Sequence, residues 1–147
     1  MMFRKVAQRP NECLLAAACR LADVDYETAS DVYHLMHGHA WGDYTRAGVV
    51  STWVEFLETY ISASMFPRGR MFDPVRFGDC LSAGSPPTGK SIVIIRRGVQ
   101  RHAVALLSDG RVYDPMDGHE YPSMPAYLLV CPGWTLETVV QITGETT

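Results

Sequence analysis

The chain has 147 residues, 47% hydrophobic and 20% charged, with a formal net charge of −3, the size and balance of one domain (1–147) with one core. No apolar run approaches the roughly 20 residues that span a bilayer, and the basic N-terminus MMFRKVAQRP reaches Pro10 without the apolar segment of a secretory signal. A membrane span is therefore excluded and a cytoplasmic home expected, while the mild acidity and a single short arginine cluster at 96, 97 and 101 argue against nucleic acid as a partner.

The first half of the chain carries helical signals. In QRPNECLLAAACRLADVDYE, Asn11 is placed to cap a helix running to about Ala22, with Leu14, Leu15, Ala18 and Leu21 on one face. A second helix is expected after Asp25, with Ala29, Val32, Tyr33 and Met36 recurring at helical spacing until Gly38 stops it. A third follows Thr45, where Val49, Trp53, Phe56, Leu57 and Tyr60 form a broad apolar stripe. FPRGRMFDP and SAGSPPTG then read as loops.

Beyond them the period shortens. SIVIIRR (91–97), HAVALL (102–107), RVYDP (111–115) and AYLLVCP (126–132) are short β-rich runs between turn residues, which predicts an antiparallel meander. TLETVVQI (135–142) suits either a further strand or a last helix. Helices followed by strands make an α+β fold, the N-terminal helices packed against an antiparallel sheet.

The four cysteines, Cys13, Cys19, Cys80 and Cys131, show no CxxC spacing and read as reduced thiols. Cys13 is the unusual one, because it stands at a helix start, where the helix dipole and first-turn N–H groups favour a thiolate. With Asn11 as the cap, it is the second helical residue. Cys19 lies beyond that influence.

A thiolate nucleophile needs a base, and the base needs a group that fixes its orientation. RHAVALLSDGRVYDP supplies both: His102 opens an apolar strand, and Asp114 ends the returning one. A three-residue loop, Ser108–Gly110, sets Leu107 against Arg111 and Val104 against Asp114, so Asp114 shares a face with His102 one diagonal step away. A two-residue turn at Asp109–Gly110 instead sets Asp117 against His102. Both acids stay open at this level.

The order Gln8, Cys13, His102, Asp114, read in NECLLAAACRLADVDYE, HAVAL and VYDP, resembles the papain-like cysteine hydrolases, most closely the compact peptidase C39-like group. The resemblance spans residues 8–27 and 102–115. It implies a papain-like fold with Cys13 as nucleophile, His102 as general base and later acid, Asp114 as orienter, and Gln8 as an oxyanion-hole donor beside the Cys13 N–H. The implied activity is that of a cysteine protease or amidase, possibly an acyltransferase, acting on a peptide or protein substrate without cofactor or metal. Small proteins of this type resemble those of bacteria and phages. The alternative is a papain-like binding or regulatory module that acts on another protein without turnover.

Other motifs carry less chemistry. HGHAWGD sets His37, His39 and Asp43 close in sequence, but a helix-terminal histidine and a glycine-containing loop do not make a metal site. Trp41, Trp53 and Trp134 read as core or groove wall, and His119 as a residue at the cleft edge. GSPPTGKS fits a phosphate-loop pattern, yet IVIIRR after it is a strand rather than the helix such a loop needs, and two prolines remove donors.

Overall fold

The computed structural model of the protein describes residues 3–45, 48–61, 72–74 and 90–142. Its first helix, α1 (Cys13–Ala22), is built on alanine and leucine, strong helix formers, and every residue from Leu15 to Cys19 is buried, as are Leu21 and Ala22. Three consecutive alanines let its backbone approach its neighbours closely.

The start of α1 corrects one expectation. Asn11 does not cap the helix: it takes a left-handed φ of 61°, which asparagine tolerates, and Glu12 occupies the cap position without a side-chain cap bond. Cys13 is therefore the first helical residue. The reason is a tight turn in which the Glu12 N–H donates to the Arg9 carbonyl at 3.2 Å and sends the Glu12 side chain inward. Buried there, it accepts from the Tyr26 hydroxyl at 2.5 Å and the Ser30 hydroxyl at 2.9 Å.

Those two donors belong to α2 (Tyr26–His37), whose ends are as the sequence predicts. The Asp25 carboxylate accepts from the Thr28 N–H at 3.1 Å, and Gly38 closes the helix at a φ of 75°. After the loop carrying Trp41, α3 (Val49–Phe56) runs on into a π-helical turn, Leu57–Ile61.

The sheet has six strands: β1 (Phe72–Pro74), β2 (Ser91–Arg97), β3 (Gln100–Leu106), β4 (Val112–Asp114), β5 (His119–Tyr121) and β6 (Thr135–Ile142), in the order β1-β6-β2-β3-β4-β5. Every pairing is antiparallel. β2, β3 and β4 form the first three strands of the expected meander, and β5, a strand the sequence did not suggest, takes the fourth place. β6 then returns to the free edge of β2, which settles 135–142 as a strand, and β1, inside the stretch read as a loop, pairs with β6. The SAGSPPTG stretch and Cys80 lie outside the described residues.

AYLLVCP is the second correction. It is not a strand but lies in a helix, α4 (Met124–Val130), because Ser123 Oγ accepts from the Ala126 N–H at 3.1 Å and Pro125 sits in the first turn, where its missing N–H costs nothing. α4 covers the sheet face opposite α1. Alternation along β3 divides the core accordingly: Ala103, Ala105 and Leu107 pack with α1, α2 and α3, whereas Val104 and Leu106 pack with Val93, Ile95, Val112 and Tyr127 of α4. The fold is α+β. Among the described residues no helix is long and apolar enough to cross a membrane.

Gly42 holds the segment leading into α1. A Cβ there would lie 2.1 Å from the Pro10 carbonyl oxygen, so the loop and the Arg9–Glu12 turn pack backbone to backbone. Gly42→Ala is expected to destabilise the fold by about 1–3 kcal/mol, read as a lower urea midpoint with an unchanged slope.

Candidate active site

His102 is on the α4 side of β3, in register with Val104 and Leu106, and stands opposite Ile95 of β2. Whether a carboxylate reaches it depends on the β3–β4 turn. Ser108–Gly110 is the three-residue form: Gly110 takes a φ of 92°, the Leu107 N–H donates to the Arg111 carbonyl at 2.8 Å, and Ala105 pairs with Tyr113. Val104 therefore opposes Asp114, and the carboxylate lies one diagonal step from His102. His102 Nε2 meets Asp114 Oδ1 at 2.6 Å, both residues being buried. Asp117 is elsewhere, accepting from the His119 N–H at 2.8 Å and the Tyr121 hydroxyl at 2.5 Å.

Asp114 has two more donors. Its Oδ1 accepts from the Met116 N–H at 2.9 Å, and its Oδ2 from the Tyr127 hydroxyl at 2.8 Å. A buried carboxylate is stable only when its lone pairs are filled, and here the backbone, α4 and the imidazole fill them. Burial alone would push this carboxyl up, but the bonds from His102, Tyr127 and Met116 outweigh it and hold Asp114 below the ordinary carboxylate range.

With a carboxylate as acceptor, Nε2 carries the hydrogen, which leaves Nδ1 for the neighbouring Cys13 thiol. α1 brings the sulfur there. The β3–β4 ladder covers only Ala105 and Leu106, so the edge of β3 is open beside His102, and the start of α1 docks on it. His102 and the N–H groups of Ala103 and Leu14 lie close enough to the sulfur to act on its acidity. Burial pushes the thiol up, yet the imidazole and those two N–H groups bring it below its ordinary 9.0. Burial likewise lowers His102, but Asp114 and Cys13 lift it from 6.5 to about 9. Both shifts act in the direction of a thiolate–imidazolium pair.

Of the residues singled out in the sequence, Cys13, His102 and Asp114 are brought together. Gln8 precedes the helix half-buried, and its side-chain amide makes no hydrogen bond among the described residues, with Oε1 shut away from water. Cys19 is buried and pushed far up by loss of solvent. His37 and His39 pack against Tyr33, tilted and edge-on, at centroid distances of 4.6 and 5.3 Å, and among the described residues no group of three ligands suits a metal. His119 is exposed, opposite Asp114 in the β4–β5 register.

Three neighbours were not legible. Tyr127 was hidden by reading its segment as a strand, although Ser-Met-Pro-Ala is a helix start. Glu12 gave no signal of burial. Tyr44, more than half exposed, feels the charge of Cys13, and its hydroxyl donates to the Asn11 carbonyl at 3.4 Å. Trp134, expected only as core or wall, tilts against the His102 ring at a centroid distance of 6.0 Å. No protein-family model, curated protein or solved structure matches the chain.

Because the folded pKa of His102 is raised from 6.5 to about 9, the stability contributed by its charged form is fully present below about pH 6.5 and lost as pH rises through about 9. An imidazole NMR titration is expected to show one histidine titrating near 9. In Asp114→Asn that midpoint falls toward 6.5, and an unmoved midpoint would mean that Asp114 does not hold the ring.

Proposed function

We propose that the chain is a small papain-like cysteine hydrolase, similar to the compact C39-like group, that cleaves a peptide-like amide through Cys13, His102 and Asp114. The observation that carries this reading is the convergence of three side chains: His102 Nε2 meets Asp114 Oδ1 at 2.6 Å, and the same imidazole lies beside the Cys13 sulfur at the first position of a helix. Each member has the pKa direction its role requires: a lowered thiol, a raised imidazole and a lowered carboxyl.

The thiolate adds to the carbonyl carbon, and the oxygen takes the negative charge. As the tetrahedral adduct collapses, the C–N bond breaks and the imidazolium gives its proton to the departing amine, leaving a thioester on Cys13. His102 then takes a proton from water as the hydroxide adds to the thioester. Collapse of this second adduct releases the carboxylic acid and restores the thiolate and imidazolium. The N–H of Cys13 is a first-turn donor with no side-chain cap competing for it, which suits an oxyanion. The resemblance assigns the second donor to the side-chain Nε2–H of Gln8, its Oε1 being an acceptor that an oxyanion cannot use.

Residue-resolved iodoacetamide labelling tests the thiol. At pH 7 Cys13 is expected to react at least about tenfold faster than Cys19, Cys80 or Cys131, with His102→Ala abolishing the selectivity. Because its pKa is lowered, the Cys13 rate is expected to stay high as pH falls below the ordinary thiol range, dropping only when the thiolate is protonated. Equal labelling of every accessible cysteine would overturn the reading and favour a binding module. Gln8→Ala is expected to cost about a hundredfold to a thousandfold in turnover of a cleavable peptide while leaving the iodoacetamide rate at Cys13 within about twofold.

A further inference from the structure

Of the three clustered arginines, two are neutralised. Arg101 Nε meets Glu137 Oε2 at 2.8 Å, and Arg96 lies 4.0 Å from the same carboxylate. Arg97 has no carboxylate partner among the described residues. Strand alternation separates it from the other two: it shares the α4 face of the sheet with Val93 and Ile95. Ile95 stands opposite His102, so Arg97 is the diagonal neighbour of His102 on one face, a separation of about 7 Å.

Trp134 fills the space between them. Its ring tilts against the imidazole at 6.0 Å on one side, and the Arg97 guanidinium lies over it at 4.6 Å. A second contact fixes the guanidinium, since one terminal nitrogen donates to Gln100 Oε1 at 3.2 Å. The preceding residue is Gly133, whose φ of 89° favours glycine, and a Cβ there would crowd Arg97 Cδ at 3.2 Å. The arginine is thus seated in a cradle, although it is exposed. Stacking uses only the flat face of a guanidinium and leaves its in-plane N–H fork for a carboxylate.

We propose that Arg97, stacked on Trp134, forms a subsite for a carboxylate carried by the amine half of the substrate, so that the preferred scissile amide is followed by an amino acid or short peptide with its carboxyl group close by. The proposal rests on the reading of His102 as the acid: the departing amine must take its proton from that ring, so it lies on the His102 side of the sulfur, where Trp134 and Arg97 are. A free carboxylate there finds a cation already desolvated on one face and held in place.

The test compares two thiol-reactive probes that differ only in this group, N-iodoacetylglycine and N-iodoacetylglycinamide, as alkylators of Cys13 in the full chain. The acid is expected to react about tenfold faster than the amide at low ionic strength. Arg97→Gln is expected to remove most of that preference while leaving the amide rate within about twofold, and Arg97→Lys to restore part of it. An unchanged preference in Arg97→Gln overturns the subsite, since the imidazolium alone then accounts for it. If the amide labels Cys13 no faster than Cys131, it is the catalytic reading that fails. The subsite is then decided by titrating N-acetylglycine against N-acetylglycinamide on the Trp134 indole NMR signal, identified by its loss in Trp134→Phe. An acid-specific shift absent from Arg97→Gln upholds the carboxylate site, and no shift overturns it.

Discussion

The hydrogen bond between His102 Nε2 and Asp114 Oδ1, 2.6 Å long and buried, is the interaction on which the candidate site depends. It fixes which ring nitrogen faces the sulfur, and it supplies the negative charge that keeps the imidazole protonated. Removing one partner of such a pair leaves a buried charge uncompensated, which is far more costly than the pair is stabilising. Asp114 is guarded against that outcome by the Met116 N–H and the Tyr127 hydroxyl. The tyrosine comes from α4, on the sheet face away from α1, so the carboxylate is clamped from the side opposite the nucleophile.

The other requirement is that α1 begin where it does. A helix end is usually frayed, and this one lacks a side-chain cap, yet it is fixed by two contacts just upstream. Glu12 is buried against Tyr26 and Ser30 of α2, and Gly42 admits the Pro10 carbonyl. Cys13 thus stands between two buried carboxylates with different tasks. Glu12 ties the helix start to its neighbour through neutral hydroxyl donors, whereas Asp114 acts on the imidazole.

Much of this was legible in the sequence where local chemistry and pattern agree. Asp25 and Gly38 bound a helix because a carboxylate cap and a left-handed glycine are the ordinary devices for doing so. SIVIIRR and HAVALL pair because their alternation and the intervening turn leave little choice. Legibility failed where composition and boundary signals disagreed. AYLLVCP is rich in strand-forming residues, but Ser123 and Pro125 set its conformation, and missing them hid Tyr127. Asn11 looks like a cap in isolation. Only the buried partners of Glu12, which lie 14 and 18 residues further on, explain why the helix starts one residue later. The choice between Asp114 and Asp117 needed the geometry of one glycine.

That glycine closes a turn whose length acts as a lock. Side chains alternate along β4, so a one-residue slip of its pairing with β3 would carry Asp114 through to the α1 side of the sheet and bring Tyr113 to the imidazole side. The tip of the Ser108–Gly110 loop is exposed, the kind of surface connection that ordinarily varies without consequence. Here the register set by the bend is as constrained as the identity of a reacting group, and changes at that bend keep the chemistry only where Leu107 still faces Arg111.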